Sequence, residues 1–105
     1  MNLTQAQKKI ILRALNGKPF PDGEGGDLTL SMMCQLALDR TLDKDTPQQR
    51  LRAYKLIRLL QQDGDAELTA EDVTLIKEKM GAHYSPLLIG QVYEIIDPDA
   101  MKQKD

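Results

Sequence analysis

A chain of 105 residues with 41% apolar and 29% charged residues and a net charge of −2 is long enough for one hydrophobic core and too apolar to stay disordered. Its single cysteine excludes an internal disulfide, and no apolar run reaches the ~18 residues of a membrane span. The segment from Met1 to Lys9 is mostly polar and Ile10 to Leu15 is too short for a signal-peptide core, so the expectation is a cytoplasmic protein without membrane association.

Five hydroxyl residues precede stretches of helical periodicity: Thr4, Thr29, Thr46, Thr69 and Ser85. An N-cap hydroxyl accepts from a backbone N–H that the helix itself leaves free. Gln7 and Gln49 complete capping boxes with Thr4 and Thr46, and Asp72 is a shorter version with Thr69. Pro47 and Pro86 take first helical positions, and Asn16-Gly17, Asp63-Gly64 and Met80-Gly81 supply stops.

The first helix is predicted over Gln5–Leu15, with Ile10, Ile11, Ala14 and Leu15 as its apolar face. The alternative is a strand from Lys9 to Leu15 turning at Asn16-Gly17. Pro19 and Pro21 interrupt the segment that would pair with it, so the helix is preferred. Gly17–Asp27, with four of the seven glycines and two of the five prolines, is predicted as one long loop that Phe20 pins to the core.

The second helix, Leu30 to about Thr41, gathers Leu30, Met33, Cys34, Leu36, Ala37 and Leu38 on its apolar face. Met32 falls outside it with Gln35 and Asp39, and is a candidate partner contact because Met adapts to many shapes. The third, Pro47 to about Gln62, has a broad apolar arc of Ala53, Leu56, Ile57, Leu59 and Leu60, with Leu51 and Tyr54 outside it. This helix carries Arg50, Arg52, Lys55 and Arg58 and no acid, whereas the segment after it has four basic and ten acidic residues. That contrast marks the four cations either as internally neutralised or as an exposed edge for a partner.

The fourth helix, Ala70–Met80, shows a seam of Val73, Ile76 and Met80, with Leu75 off it. The fifth, Pro86 to about Ile96, is the most apolar and is expected at the buried centre, with a subunit contact as the alternative. The fold class is therefore all-α: a compact bundle of about five short helices with one long Gly/Pro-rich loop. Residues 1–97 form a single domain and residues 98–105 a flexible tail.

Chemistry is sparse. A calcium-loop reading of Gln61–Asp72 places Gln61 first, Ala66 where Gly is needed and Asp72 where a bidentate Glu is needed. Asp63, Asp65 and Asp72 read better as a helix stop followed by a helix start. A helix-turn-helix reading of the last two helices puts Glu94 and no cation on the recognition helix, which DNA would repel. Cys34 lies on a core face, and His83 sits in a turn where it is expected to satisfy a helix C-terminus. One His and one Cys cannot furnish a zinc site, and no phosphate-binding glycine motif is present. The expectation is a non-enzyme with no catalytic residue, cofactor or metal. Its candidate partner contacts are Arg50, Arg52, Lys55, Arg58 and Met32, with nucleic acid disfavoured.

The stretch from Glu67 to Ile96 opens with Leu68-Thr69-Ala70-Glu71-Asp72 and continues through Ser85-Pro86-Leu87-Leu88-Ile89-Gly90. With the preceding Gln49–Leu56, it resembles short proteins encoded by tailed bacteriophages and prophages, the similarity running over Leu28–Ile96. The resemblance implies a phage or prophage origin, a bacterial host cytoplasm and no catalytic residues. It points to an accessory protein of virion (head or tail) assembly that contacts a phage or host protein. The alternative is a small regulator of nucleic acid or of a host protein.

Overall fold

All four threonine caps form. Thr4, Thr29, Thr46 and Thr69 accept from the amides of Gln7, Met32, Gln49 and Asp72 at 3.1–3.2 Å. Gln7, Gln49 and Asp72 each accept in return from the cap amide at 2.8–2.9 Å. Asp72 thus makes a full capping box despite its shorter side chain. Ser85 holds the cap position of its helix without a side-chain cap bond.

The computed structural model describes residues 1–102. In chain order these form β1 (Asn2–Leu3), α1 (Gln5–Lys8), α2 (Leu30–Asp39), α3 (Pro47–Gln61), β2 (Ala66–Glu67), α4 (Ala70–His83), α5 (Pro86–Ile96) and a 3₁₀ turn, Pro98–Lys102. The expected tail is in this turn as far as residue 102; residues 103–105 lie outside the described residues. The fold is mostly helical but not purely so. β1 and β2 pair antiparallel, Asn2 with Glu67 and Leu3 with Ala66.

The first predicted helix is corrected. α1 ends at Lys8, and Ile10 to Ala14 is extended. Leu12, absent from the predicted helical face, is fully buried, while Leu15, placed on that face, is 91% exposed. Three extended segments close a ring of backbone bonds. The Leu12 N–H donates to the Leu28 carbonyl (2.9 Å), Leu28 to Phe20 (2.7 Å) and Phe20 to Leu12 (2.9 Å). Pro19 and Pro21 fit because Phe20 between them supplies the ladder's donor, so the missing proline N–H groups are not required. Asn16-Gly17 is the hairpin turn: Gly17 has φ +80° and its amide donates to the Ala14 carbonyl at 2.9 Å. The expected long loop is therefore two tight turns. The second is closed by Asp22, whose carboxylate accepts from Glu24 (2.7 Å) and Gly26 (3.0 Å). Phe20 packs against the core as expected.

The core is built mainly by α2, α3 and α4. α2 and α3 run antiparallel, with the Ser31 hydroxyl at the start of α2 donating to the Leu60 carbonyl near the end of α3 (3.1 Å). α3 buries Ala53, Leu56 and Leu60. α4 buries Leu75, Ile76, Lys79 and Met80 and leaves Val73 half-buried, so its seam is rotated from the predicted one. Gly81 does not stop α4, which runs two residues further. α5 is not the buried centre. It lies against α4 and buries one side, Leu88, Val92 and Ile96. Leu36, expected inside, is exposed on α2.

Two lysine side chains are buried among the described residues, and each closes a helix C-terminus. Lys8, 5% exposed, donates to the carbonyls of Gln62 (2.6 Å) and Gly64 (2.9 Å) just beyond α3. Lys79, 3% exposed, donates from α4 to the Arg40 carbonyl at the end of α2 (2.9 Å) and to the Asp45 carboxylate. Both place positive charge at the negative end of a helix and satisfy orphan carbonyls. The N-terminus is held to the loop after α3. The Gln5 side chain accepts from Gly64 (2.7 Å), and Asp65 accepts from the Gln5 amide (2.9 Å).

Urea unfolding grades these contacts. Leu60→Ala should cost about 2–5 kcal/mol as a core truncation, and Thr69→Ala about 0.5–2 kcal/mol as a lost cap. Lys8→Met, which strands buried carbonyls, should cost about 1–3 kcal/mol. A smaller loss for Leu60→Ala than for Thr69→Ala contradicts a central α3.

Candidate protein-binding face

α3 starts at the Thr46 capping box with Pro47 in its first turn, and it presents two opposed stripes. Ala53, Leu56 and Leu60 face inward. At 3.6 residues per turn, Leu51 and Arg58 fall diametrically opposite them, with Tyr54 and Lys55 to either side. Leu51 is 54% and Tyr54 57% exposed. These two large apolar side chains lie outside the helix's inward arc and were not among the predicted contacts. Their spacing and their position outside that arc were the available signal.

The four predicted cations do not form one stripe. Arg52 turns towards α4, where its guanidinium meets Glu71 at 2.8 Å and Asp72 at 3.5 Å. Internal neutralisation therefore holds for Arg52. Arg58 donates to Gln61 at 3.4 Å. Arg50, Lys55 and Arg58 are exposed and make no salt bridge among the described residues. Arg50 lies on the other flank, close enough for its charge to favour the ionised form of Asp45. Met32 is exposed on α2, but it shares a groove with Lys9, Gln35 and Gln61 over the C-terminal end of α3. The structure thus sets Arg50, Lys55 and Arg58, free of salt bridges among the described residues, around Leu51 and Tyr54; Arg52 borders this face but is paired with α4, and Met32 lies apart.

Two shallow grooves of about 290 Å³ follow this face. One is lined by Gln48, Gln49, Leu51, Arg52 and Lys55, the other by Arg52, Lys55, Leu56, Leu59 and Asp72. A larger open hollow of about 620 Å³ lies elsewhere, between Leu15 and Phe20 of the hairpin and Pro86 and Leu87 of α5.

Burial pushes the Cys34 thiol up to about 12, away from the reactive thiolate. His83 does not satisfy the end of α4. Its Nε2 is buried without a hydrogen-bond partner among the described residues, and the Tyr84 amide donates to Met80 there instead. Asp65 is held below the usual carboxylate range by the Gln5 amide, the Asn2 side chain and the charge of Lys8. Asp72 is engaged with Thr69 and Arg52. Among the described residues no group of three or more His, Cys, Asp or Glu side chains could hold a metal ion.

Comparison of the chain with protein-family profiles, with characterised proteins and with solved structures finds no match.

The titrating groups set a pH dependence. The Lys79 ammonium and the Leu42 amide hold the Asp45 carboxyl below its usual range, and the Glu24 and Gly26 amides do the same for Asp22. A depressed carboxylate contributes stability that is fully present above its unfolded pKa and lost as pH falls through the folded one. The urea midpoint should therefore drop as pH falls below ~4. Lys77, raised by its 2.5 Å bond to Asp97, keeps its contribution through neutral pH and loses it as pH rises above the usual lysine range. A midpoint unchanged from pH 5 to pH 2.5 contradicts the carboxylate pairings. Native Cys34 should resist alkylation at pH 8 and react once unfolded. Equal rates in the two states contradict its burial.

Proposed function

We propose that this chain is a non-enzymatic accessory protein that works by holding another protein, and that the outer face of α3 is where it does so. The observation that supports this is the exposure of Leu51 and Tyr54 among Arg50, Lys55 and Arg58 on the helix whose inner side belongs to the core. Aromatic and Arg side chains are enriched at protein interfaces, and a charged rim suits a partner of opposite sign. The partner surface is acidic. The resemblance of Leu28–Ile96 to short tailed-phage proteins, read from the sequence alone, supports a role in head or tail assembly within a bacterial host cell. A small regulator of nucleic acid or of a host protein is the competing role, and it would use the same cations.

Charge reversal separates the roles. Lys55→Glu with Arg58→Glu should leave the urea midpoint within about 0.5 kcal/mol of wild type, because both side chains are exposed. It should also lose the partner that the wild-type chain captures from phage-producing cells. Retention of that partner contradicts the proposed face. Salt-sensitive binding of duplex DNA, abolished by the same reversal, favours the regulator.

A further inference from the structure

We infer that the outer face of α3 docks an acidic amphipathic helix, with Leu51 and Tyr54 as apolar anchors and Arg50, Lys55 and Arg58 clamping the partner's carboxylates. This rests on the protein-contact reading above and adds the chemistry and shape of the partner segment.

The form of the surface selects the form of the ligand. The α3 backbone between Thr46 and Gln62 is committed to its own helix and caps, so it offers no edge on which an extended peptide could add a strand. Recognition must run through side chains. Leu51, Tyr54 and Arg58 are spaced three and four residues apart and form one ridge along the helix, with a shallow groove following Leu51, Arg52 and Lys55. A second helix laid along this ridge can bury Leu51 and Tyr54 in its own apolar stripe. Glutamates flanking that stripe then reach Lys55 and Arg58 on one stretch and Arg50 on the other. The internal ion pair of Arg52 with Glu71 and Asp72 shows the same pairing already made once on α3, from the neighbouring helix α4.

Charge complementarity decides against nucleic acid. Three exposed cations without a salt bridge among the described residues are few beside the 6–10 phosphate contacts of an ordinary DNA-binding surface. Leu51 and Tyr54 lie among them, and Leu51 has nothing to gain from a phosphate. An apolar centre with a charged rim is the anatomy of a protein interface. A contact one helix wide is small, which implies weak and reversible binding, with Kd in the micromolar range.

The probe is a synthetic peptide of about 18 residues, with Leu repeated at three- and four-residue spacing and Glu on the remaining positions. Controls are a scrambled peptide of equal composition and a version with Lys for Glu. Amide chemical shifts of the intact chain are followed during titration. The acidic amphipathic peptide should bind saturably, with its largest shifts between Arg50 and Arg58. Tyr54→Ala should weaken it by about tenfold, as loss of an anchor does. The scrambled and Lys peptides should bind at least about tenfold more weakly. Equal affinity for the scrambled peptide, insensitivity to Tyr54→Ala, absence of saturable binding, or tighter binding to duplex DNA would each overturn the inference. If the peptide fails while Lys55→Glu/Arg58→Glu still loses the natural partner, the helix-docking inference falls and the protein-contact reading stands. If the reversed variant keeps that partner, the reading itself falls.

Discussion

The ammonium group of Lys79 is the contact on which the rest of the arrangement depends. It is buried, donating to the carbonyl of Arg40, the C-cap of α2, and to the Asp45 carboxylate ahead of α3. The same carboxylate also accepts from the Leu42 amide (2.8 Å), so it shapes the loop that turns α2 into α3. One residue later Thr46 begins its capping box. A buried charge without these partners would be costly, whereas the paired one adds little net stability over an apolar replacement. Its effect is on arrangement: it ties α4 to the end of α2 and to the carboxylate that precedes α3.

Lys8 does the corresponding work at the far end of α3, closing it through Gln62 and Gly64. With both ends held, the rotation of α3 about its axis is set. Ala53, Leu56 and Leu60 point inward, and Leu51, Tyr54, Lys55 and Arg58 have nowhere to go but outward. The buried arc of Ala53, Leu56 and Leu60 sets which face is outer, and the two lysines hold the segments at either end of α3. The division of the cations follows in turn. Arg52 sits on the α4 flank and is neutralised there by Glu71 and Asp72, while Lys55 and Arg58 face solvent.

The helix starts were legible because capping is local. Thr4, Thr29, Thr46 and Thr69 and their reciprocal partners lie within three residues of each other, and no tertiary contact is needed to recognise them. The helix ends were less so. Met80-Gly81 has the grammar of a stop, yet α4 continues through Gly81, because glycine is tolerated inside a helix at only modest cost. The segment from Ile10 to Asp27 departs from its sequence pattern for a non-local reason. Its backbone donors and acceptors are satisfied by partners eight and sixteen residues away, in the ring of Leu12, Phe20 and Leu28. Pro19 and Pro21 counted against a strand only because the positions needing donors were not known. Buried Lys8 and Lys79 were invisible to a hydrophobic wheel, since a lysine reads as surface unless its partner is known. At the candidate site, the exposure of Leu51 and Tyr54 was readable from the α3 wheel. The diversion of Arg52 was not, because it depends on where α4 lies.

Lys79 and Asp45 act as one coupled unit at the junction of α2, α3 and α4, and that coupling is measurable. A double-mutant cycle in urea tests it most directly, using Lys79→Met, Asp45→Leu and the two together. Each single change leaves the other group buried beside an apolar side chain, while the double change removes both charges. With the two groups coupled, the double variant should be less destabilised than the sum of the two singles. Additive losses would mean that the two groups act independently, and would contradict the coupling.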